Sequence, residues 1–135
     1  MNMTISFPGG ARVDAHFGHY EVRTDQPPAG GGDGSAPTPF AHFLASIGTC
    51  AGIYVLGFCR ERGIPTDGIR LVESATADPE TGLVDRIDIA VELPASFPEK
   101  YKAAVLRAAD HCAVKRHFEH PPKISLSAKT AVLSA

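Results

Sequence analysis

Thr38-Pro39-Phe40-Ala41-His42-Phe43-Leu44-Ala45-Ser46-Ile47-Gly48-Thr49-Cys50-Ala51-Gly52-Ile53-Tyr54-Val55-Leu56-Gly57-Phe58-Cys59 is the stretch on which the fold turns. Thr38 is a good N-cap, and Pro39 suits a first helical turn. No breaker other than glycine follows until Gly63, and Pro65 lies just beyond it, which predicts a helix over residues 40–62. From Pro39 to Cys59 there is no Asp, Glu, Lys or Arg. Twenty helical residues span about 30 Å, close to the thickness of a bilayer core. The neutral run only just reaches that length, and His42, Ser46, Thr49 and several small residues interrupt it. The expectation is therefore a helix buried on all sides, through the middle of a domain or a dimer, and not a membrane span. Ala41, Ala45, Gly48 and Gly52 recur at three- and four-residue spacing. They would form a smooth face that another backbone can approach.

Outward from this helix, the flanks read as strands and shorter helices. Residues 2–7, 11–17 and 19–24 carry strand patterns separated by Pro8-Gly9-Gly10 and Gly18, which predicts a small antiparallel meander. Residues 26–37, rich in glycine and proline, have no periodicity and form a long loop, of the kind that binds ligands or moves. Residues 69–77 and 83–93 are two strands joined by Asp78-Pro79-Glu80-Thr81-Gly82, a hairpin. Ile87, Ile89, Val91 and Leu93 share one of its faces. Ser96 and Glu99 fit a capping box for an amphipathic helix through Tyr101, Val105, Leu106 and Ala109. Asp110 could cap a short helix over residues 112–118, and residues 124–132 alternate as a last strand. The order β-β-β-α-β-β-α-(α)-β, with strands and helices segregated, is α+β.

Composition narrows the function. With 135 residues the chain is one domain, 1–135, large enough for a core. Hydrophobic residues make up 44% and charged ones 21%, ordinary values for a soluble protein. Thirteen basic against fifteen acidic residues give a net charge of -2, which argues against a nucleic-acid partner. Met1-Asn2-Met3-Thr4-Ile5 has neither a charged n-region nor a long apolar run, so a cytoplasmic protein is expected. Three cysteines are too few for a disulfide framework, and the cytosol would keep them reduced.

Those cysteines are the residues most able to carry chemistry. No metal signature is present: His117 and His120 are three apart, but two prolines follow directly and no second spaced pair exists. No phosphate loop or nucleophilic-serine motif appears, and no cofactor is implied. Cys50 lies mid-helix, where a small buried thiol is the commoner role. Cys59 follows nine residues later, a rise of about 13 Å that no disulfide bridges within one straight helix. It reads as core. Cys112 sits where a helix starts, beside His111, Lys115, Arg116 and His117, a setting that favours thiolate. Cys50 has no such help from its own helix. A reactive Cys50 would need a cation from elsewhere, with Arg12 and Arg23 in the strand meander as candidates.

The run Pro37 to Cys50 resembles the proline-led helix of the OsmC/Ohr superfamily, the osmotically inducible and organic hydroperoxide resistance type redox proteins. Arg62-Gly63-Ile64-Pro65 followed by Gly68-Ile69 is similar to that family's helix exit, and Ala109 to Arg116 to its second cysteine motif. The resemblance covers nearly the whole chain. It implies an OsmC-like fold in an intertwined homodimer with the central helices between sheets, which would explain a charge-free helix in a soluble protein. It implies a site at the dimer interface where Cys50 attacks an organic hydroperoxide and becomes a sulfenic acid. Cys112 then closes a disulfide, and a dithiol, lipoyl-linked in the best understood members, reduces it.

The chain departs from the family at one telling place. Peroxidase members carry a glutamate ten residues before the first cysteine, where it holds the activating arginine; here that position is Phe40. Arg12, after Gly9-Gly10, matches the arginine's place best, and Asp14, Glu21 and Asp25 are acids that could replace the glutamate. Ala113 and Lys115 stand where the second motif usually has Pro and His. The expected function is thus thiol-dependent reduction of organic hydroperoxides, with Cys50, Cys112 and Arg12 catalytic. The alternative is a non-peroxidase member that binds a small apolar ligand. Arg23, Phe40, Phe43 and Tyr54 are the candidate pocket in either case.

Overall fold

In the computed structural model, which describes residues 1–131, three strands precede the long helix: β1 (Thr4–Gly9), β2 (Arg12–Phe17) and β3 (Tyr20–Val22). They pair antiparallel in the order β1-β2-β3, with an irregularity between Ser6 and Gly9. Gly9 and Gly10 carry φ of 138° and 57°, so the turn between β1 and β2 depends on their freedom to enter a region that side chains avoid. After the loop comes α1 (Pro39–Glu61). The hairpin β4 (Arg70–Ala77) and β5 (Val84–Glu92) forms a second sheet, and α2 (Lys102–Asp110) and α3 (Ala113–Glu119) complete the chain. The architecture is α+β.

The ends of α1 follow from the residues that predict them. Thr38 is extended (φ -68°, ψ 158°), and its Oγ1 accepts the Ala41 N–H at 3.2 Å. Such a cap contributes about 1 kcal/mol. At the other end the Ile64 N–H donates to the Cys59 carbonyl (2.9 Å) and the Gly63 N–H to the Arg60 carbonyl (3.3 Å). With Gly63 at φ 62°, this is a Schellman ending, and Ile64 turns back onto the core beside Cys59. That core is Val55, Phe58, Cys59, Phe97 and Val105, where the second half of α1 meets α2 and the hairpin.

The rest of α1 is different. Only 28% of the helix's most apolar 18-residue window is buried, and Phe40 and Ile53 are 48% and 57% exposed. The expectation of a helix buried on all sides is therefore not met within one chain. At its two glycines the small-residue face meets a side chain and, among the described residues, no second backbone. The Glu73 carboxylate of β4 lies where a Gly48 Cβ would stand, 2.6 Å away, and Gly52 has nothing within 4 Å.

Three further expectations are corrected. Ser96 and Glu99 form no capping box. Phe97 is drawn into the core, its N–H bound to the Pro94 carbonyl, so the chain enters α2 through Pro98 and a 3-10 turn over Glu99–Tyr101, and Glu99 pairs with Lys102 at 2.6 Å. Asp110 ends α2 and pairs with Lys115; the cap of α3 is Cys112. The last strand is absent over residues 124–131: Ile124 and Leu126 are 85% and 98% exposed, and the segment pairs with no strand among the described residues. Val132 lies outside the described residues.

The loop over residues 26–37 is organised by one carboxylate. Asp25, 1% exposed, accepts the N–H groups of Gln26, Asp33 and Ser35 and the Ser35 hydroxyl at 2.6 Å. These bonds, the hydroxyl first, hold its pKa down to about 2.

Candidate active site

Two thiols meet where α1 crosses the start of α3. Cys112 is the N-cap of α3: its Sγ accepts the Lys115 N–H at 3.4 Å. It also lies 3.7 Å from the Ile47 carbonyl oxygen, to which the S–H donates. That places Cys112 on the turn of α1 just before Cys50, where each thiol bears on the ionisation of the other. Cys112 is 2% exposed, whereas Cys50 is part-buried.

The electrostatics of the pair are asymmetric. The backbone N–H of Val114 draws the Cys50 pKa below that of a free thiol; burial opposes this, and Cys112 and the Ala113 N–H add to it. Burial pushes Cys112 the other way, and the neighbouring Cys50 adds to that rise. The sequence placed the thiolate-favouring helix start on Cys112. The correction is that Cys112, as the cap, is too buried to ionise first, and amides of the same turn serve Cys50. No sequence signal marks this, because the donors are main-chain groups 60 residues away. Cys59 is fully buried, and burial raises its pKa, so it belongs to the core.

The expected cations are placed elsewhere. Among the described residues no arginine acts on Cys50 in its own chain. Arg12 pairs with Asp14 at 2.6 Å, and Arg23 with Glu21 at 2.7 Å. The Arg23 carbonyl bonds to His42 Nε2 at 2.9 Å, the link between β3's end and α1. Phe40 and Phe43 meet at a tilt with centroids 5.2 Å apart, and Phe43 meets Phe118 edge-on at 5.6 Å, so two of the three predicted aromatic residues come together, without Tyr54. A cavity of about 540 Å³ lies between β5 and the helices. Ile47, Ile87, Ile89, Cys112 and Phe118 line it; Arg23, Phe40, Phe43 and Tyr54 do not. Among the described residues no group of His, Cys, Asp or Glu is disposed to hold a metal ion.

Two cysteines on a proline-led helix and a helix start, in an α+β chain of this element order, invite comparison with known families. The profile of the family described as OsmC-like protein matches residues 32–127. The chain belongs to the OsmC-like family. The OsmC-like fold extends beyond the matched residues into the N-terminal sheet. A crystal structure of an osmotic stress induced and detoxification response protein from Psychrobacter arcticus superposes with a TM-score of 0.73 at 19% identity, covering 86% of each chain. An organic hydroperoxide resistance protein, OsmC, from Legionella pneumophila gives 0.53 at 20% identity, over 87% of this chain and 89% of that one. The organic hydroperoxide resistance protein OhrB of Bacillus subtilis gives 0.50 at 17%, over 87% and 90%. At these identities the likeness is one of OsmC-like fold. No curated protein matches the chain.

Proposed function

We propose that the protein reduces organic hydroperoxides at the expense of a dithiol, as a homodimer, with Cys50 as the attacking thiol and Cys112 as the resolving one. The observation that carries this reading is the asymmetric pair: a part-exposed thiol of lowered pKa beside a buried thiol of raised pKa, the latter held against the Ile47 carbonyl one turn from Cys50. A nucleophile must ionise and be reachable, and a resolving thiol must wait close by.

The Cys50 thiolate attacks the terminal peroxide oxygen. The O–O bond breaks, the alkoxide leaves and takes a proton, and Cys50 becomes a sulfenic acid. Cys112 then attacks the Cys50 sulfur, the S–O bond breaks and water leaves, closing a disulfide. A dithiol returns two electrons by exchange: one thiol attacks, Cys50 or Cys112 departs as thiolate, and the second thiol closes the reductant's own disulfide. Arg12 would steady the thiolate and the developing charge on the leaving oxygen.

Surface area supports the homodimer. The chain exposes 10384 Å², whereas a compact monomer of this mass exposes about 6,800 Å². Burying about half of this excess in each subunit would already make an interface of the size that obligate dimers bury. The half-covered α1, the detached N-terminal sheet and the unpaired segment 124–131 are where it resides.

The test is peroxide consumption by the purified protein with tert-butyl hydroperoxide and dithiothreitol. Turnover that is lost in Cys50→Ser, and a sulfenic acid trapped in Cys112→Ser, support the reading; a wild type that consumes no peroxide ends it. A ligand-binding role without catalysis, which the 540 Å³ apolar cavity favours, would then stand in its place.

A further inference from the structure

Arg12 and Asp14 are two residues apart on β2, so both side chains leave one face of the strand. Arg12 Nη2 donates to Asp14 Oδ2 at 2.6 Å, and the other carboxylate oxygen accepts the Thr24 N–H at 3.2 Å. Asp14 is 2% exposed, whereas the Arg12 side chain keeps 36% of its surface. The carboxylate is built into the sheet and the guanidinium reaches out of it. The Arg23–Glu21 pair is a surface pair, with both side chains at least one-third exposed. Exposed pairs fix little, whereas a carboxylate anchored by a backbone amide holds an arginine's planar fork in one direction.

We propose that Asp14 is the positioning residue for Arg12, aiming its remaining N–H groups at Cys50 of the second subunit in place of the carboxylate that α1 lacks. The inference rests on the peroxidase reading above. α1 has no acidic residue before Glu61, so it can hold no arginine beside Cys50 itself. Among the described residues of its own chain nothing cationic acts on Cys50, and the sheet carrying Arg12 is tied to α1 by the His42–Arg23 bond and otherwise stands largely apart. A guanidinium has five N–H groups, and Asp14 engages one, which leaves donors for the thiolate and for a peroxide oxygen. Asp14 touches neither and acts through Arg12.

The experiment uses the full-length dimer with Arg12→Ala, Asp14→Asn, Asp14→Glu and the Arg12→Ala/Asp14→Asn double variant. Two readouts are followed: kcat/KM for tert-butyl hydroperoxide, and the pH midpoint of Cys50 alkylation. Loss of a bond to a charged group should lower kcat/KM roughly ten- to a hundredfold in Arg12→Ala and Asp14→Asn alike. It should move the alkylation midpoint upward, the double variant should be no worse than either single one, and Asp14→Glu should recover part of the loss. A heterodimer joining a Cys50→Ser subunit to an Arg12→Ala subunit retains one complete site if the arginine crosses, and should keep half the wild-type activity. An Asp14→Asn protein with wild-type rate and midpoint, or additive losses in the double variant, overturns the role of Asp14. A dead heterodimer overturns the crossing. Should Asp14→Asn fail to fold, Arg12→Ala and the heterodimer still decide. If wild type consumes no peroxide, the peroxidase reading fails by itself, and the alkylation midpoints alone report on Asp14.

Discussion

Cys112 Sγ lies 3.7 Å from the carbonyl oxygen of Ile47, three residues before Cys50 on α1. This contact brings together the two cysteine segments, which are 62 residues apart in the chain. Cys112 spends its sulfur on the Ile47 carbonyl and the Lys115 N–H, while Cys50 takes the amides of Val114 and Ala113.

The three thiols should therefore react in a fixed order. At neutral pH, iodoacetamide should modify Cys50 first, Cys112 much more slowly and Cys59 only on unfolding, because the last two are buried and pushed upward in pKa. Peptide mapping over time checks this, and early labelling of Cys59 would contradict it.

Asp25 makes the loop over residues 26–37 acid-sensitive. Its folded pKa of about 2 lies below the ordinary 3.8. A depressed carboxylate contributes stability that is present above the ordinary value and is lost as pH falls toward the folded one. Wild type should lose melting temperature between about pH 4 and pH 2, and Asp25→Asn should lose less over that window while being less stable at pH 7. Thermal melts across the window check the sign.

Glu73 acts in the opposite sense. Burial raises its pKa, and among the described residues its Oε2 has no hydrogen-bond partner. Its favourable packing is then present at low pH and is lost as pH rises through the folded value. Glu73→Gln should melt higher than wild type at pH 7 and no higher at pH 4. An equal difference at both pH values would contradict this.

The N-cap of α1 offers a simple stability test. Thr38→Ala leaves the Ala41 N–H without its acceptor and should cost about 1 kcal/mol in chemical denaturation. A change below the error of the measurement would show that the cap is replaced by solvent.

Local chemistry made much of this fold legible. Thr38, Pro39, Gly63 and Pro65 bound α1 because caps act through neighbouring residues, and Asp78 to Gly82 mark the hairpin for the same reason. Where tertiary contacts outweigh local preference, the sequence misleads. Phe97 enters the core and displaces the Ser96 cap, and Cys112 caps α3 because Ile47 is there to receive its S–H. The last strand carries the alternation of a strand, but pairing is a property of two segments, and no described strand of the chain lies beside residues 124–131. The cysteines of the site could be named from the sequence. The amides that tune Cys50 could not, because main-chain donors have no letter. Of three acids near Arg12, only geometry distinguishes Asp14 as its partner, with Glu21 serving Arg23 and Asp25 the loop.

The central claim is that Cys50 and Cys112 form a working redox pair. The direct measurement is to treat the reduced protein with one equivalent of tert-butyl hydroperoxide, block remaining thiols, and map disulfides by mass spectrometry. The account predicts a Cys50–Cys112 disulfide with Cys59 still free. Three free cysteines after oxidant, or a bridge that leaves out Cys50, would contradict it.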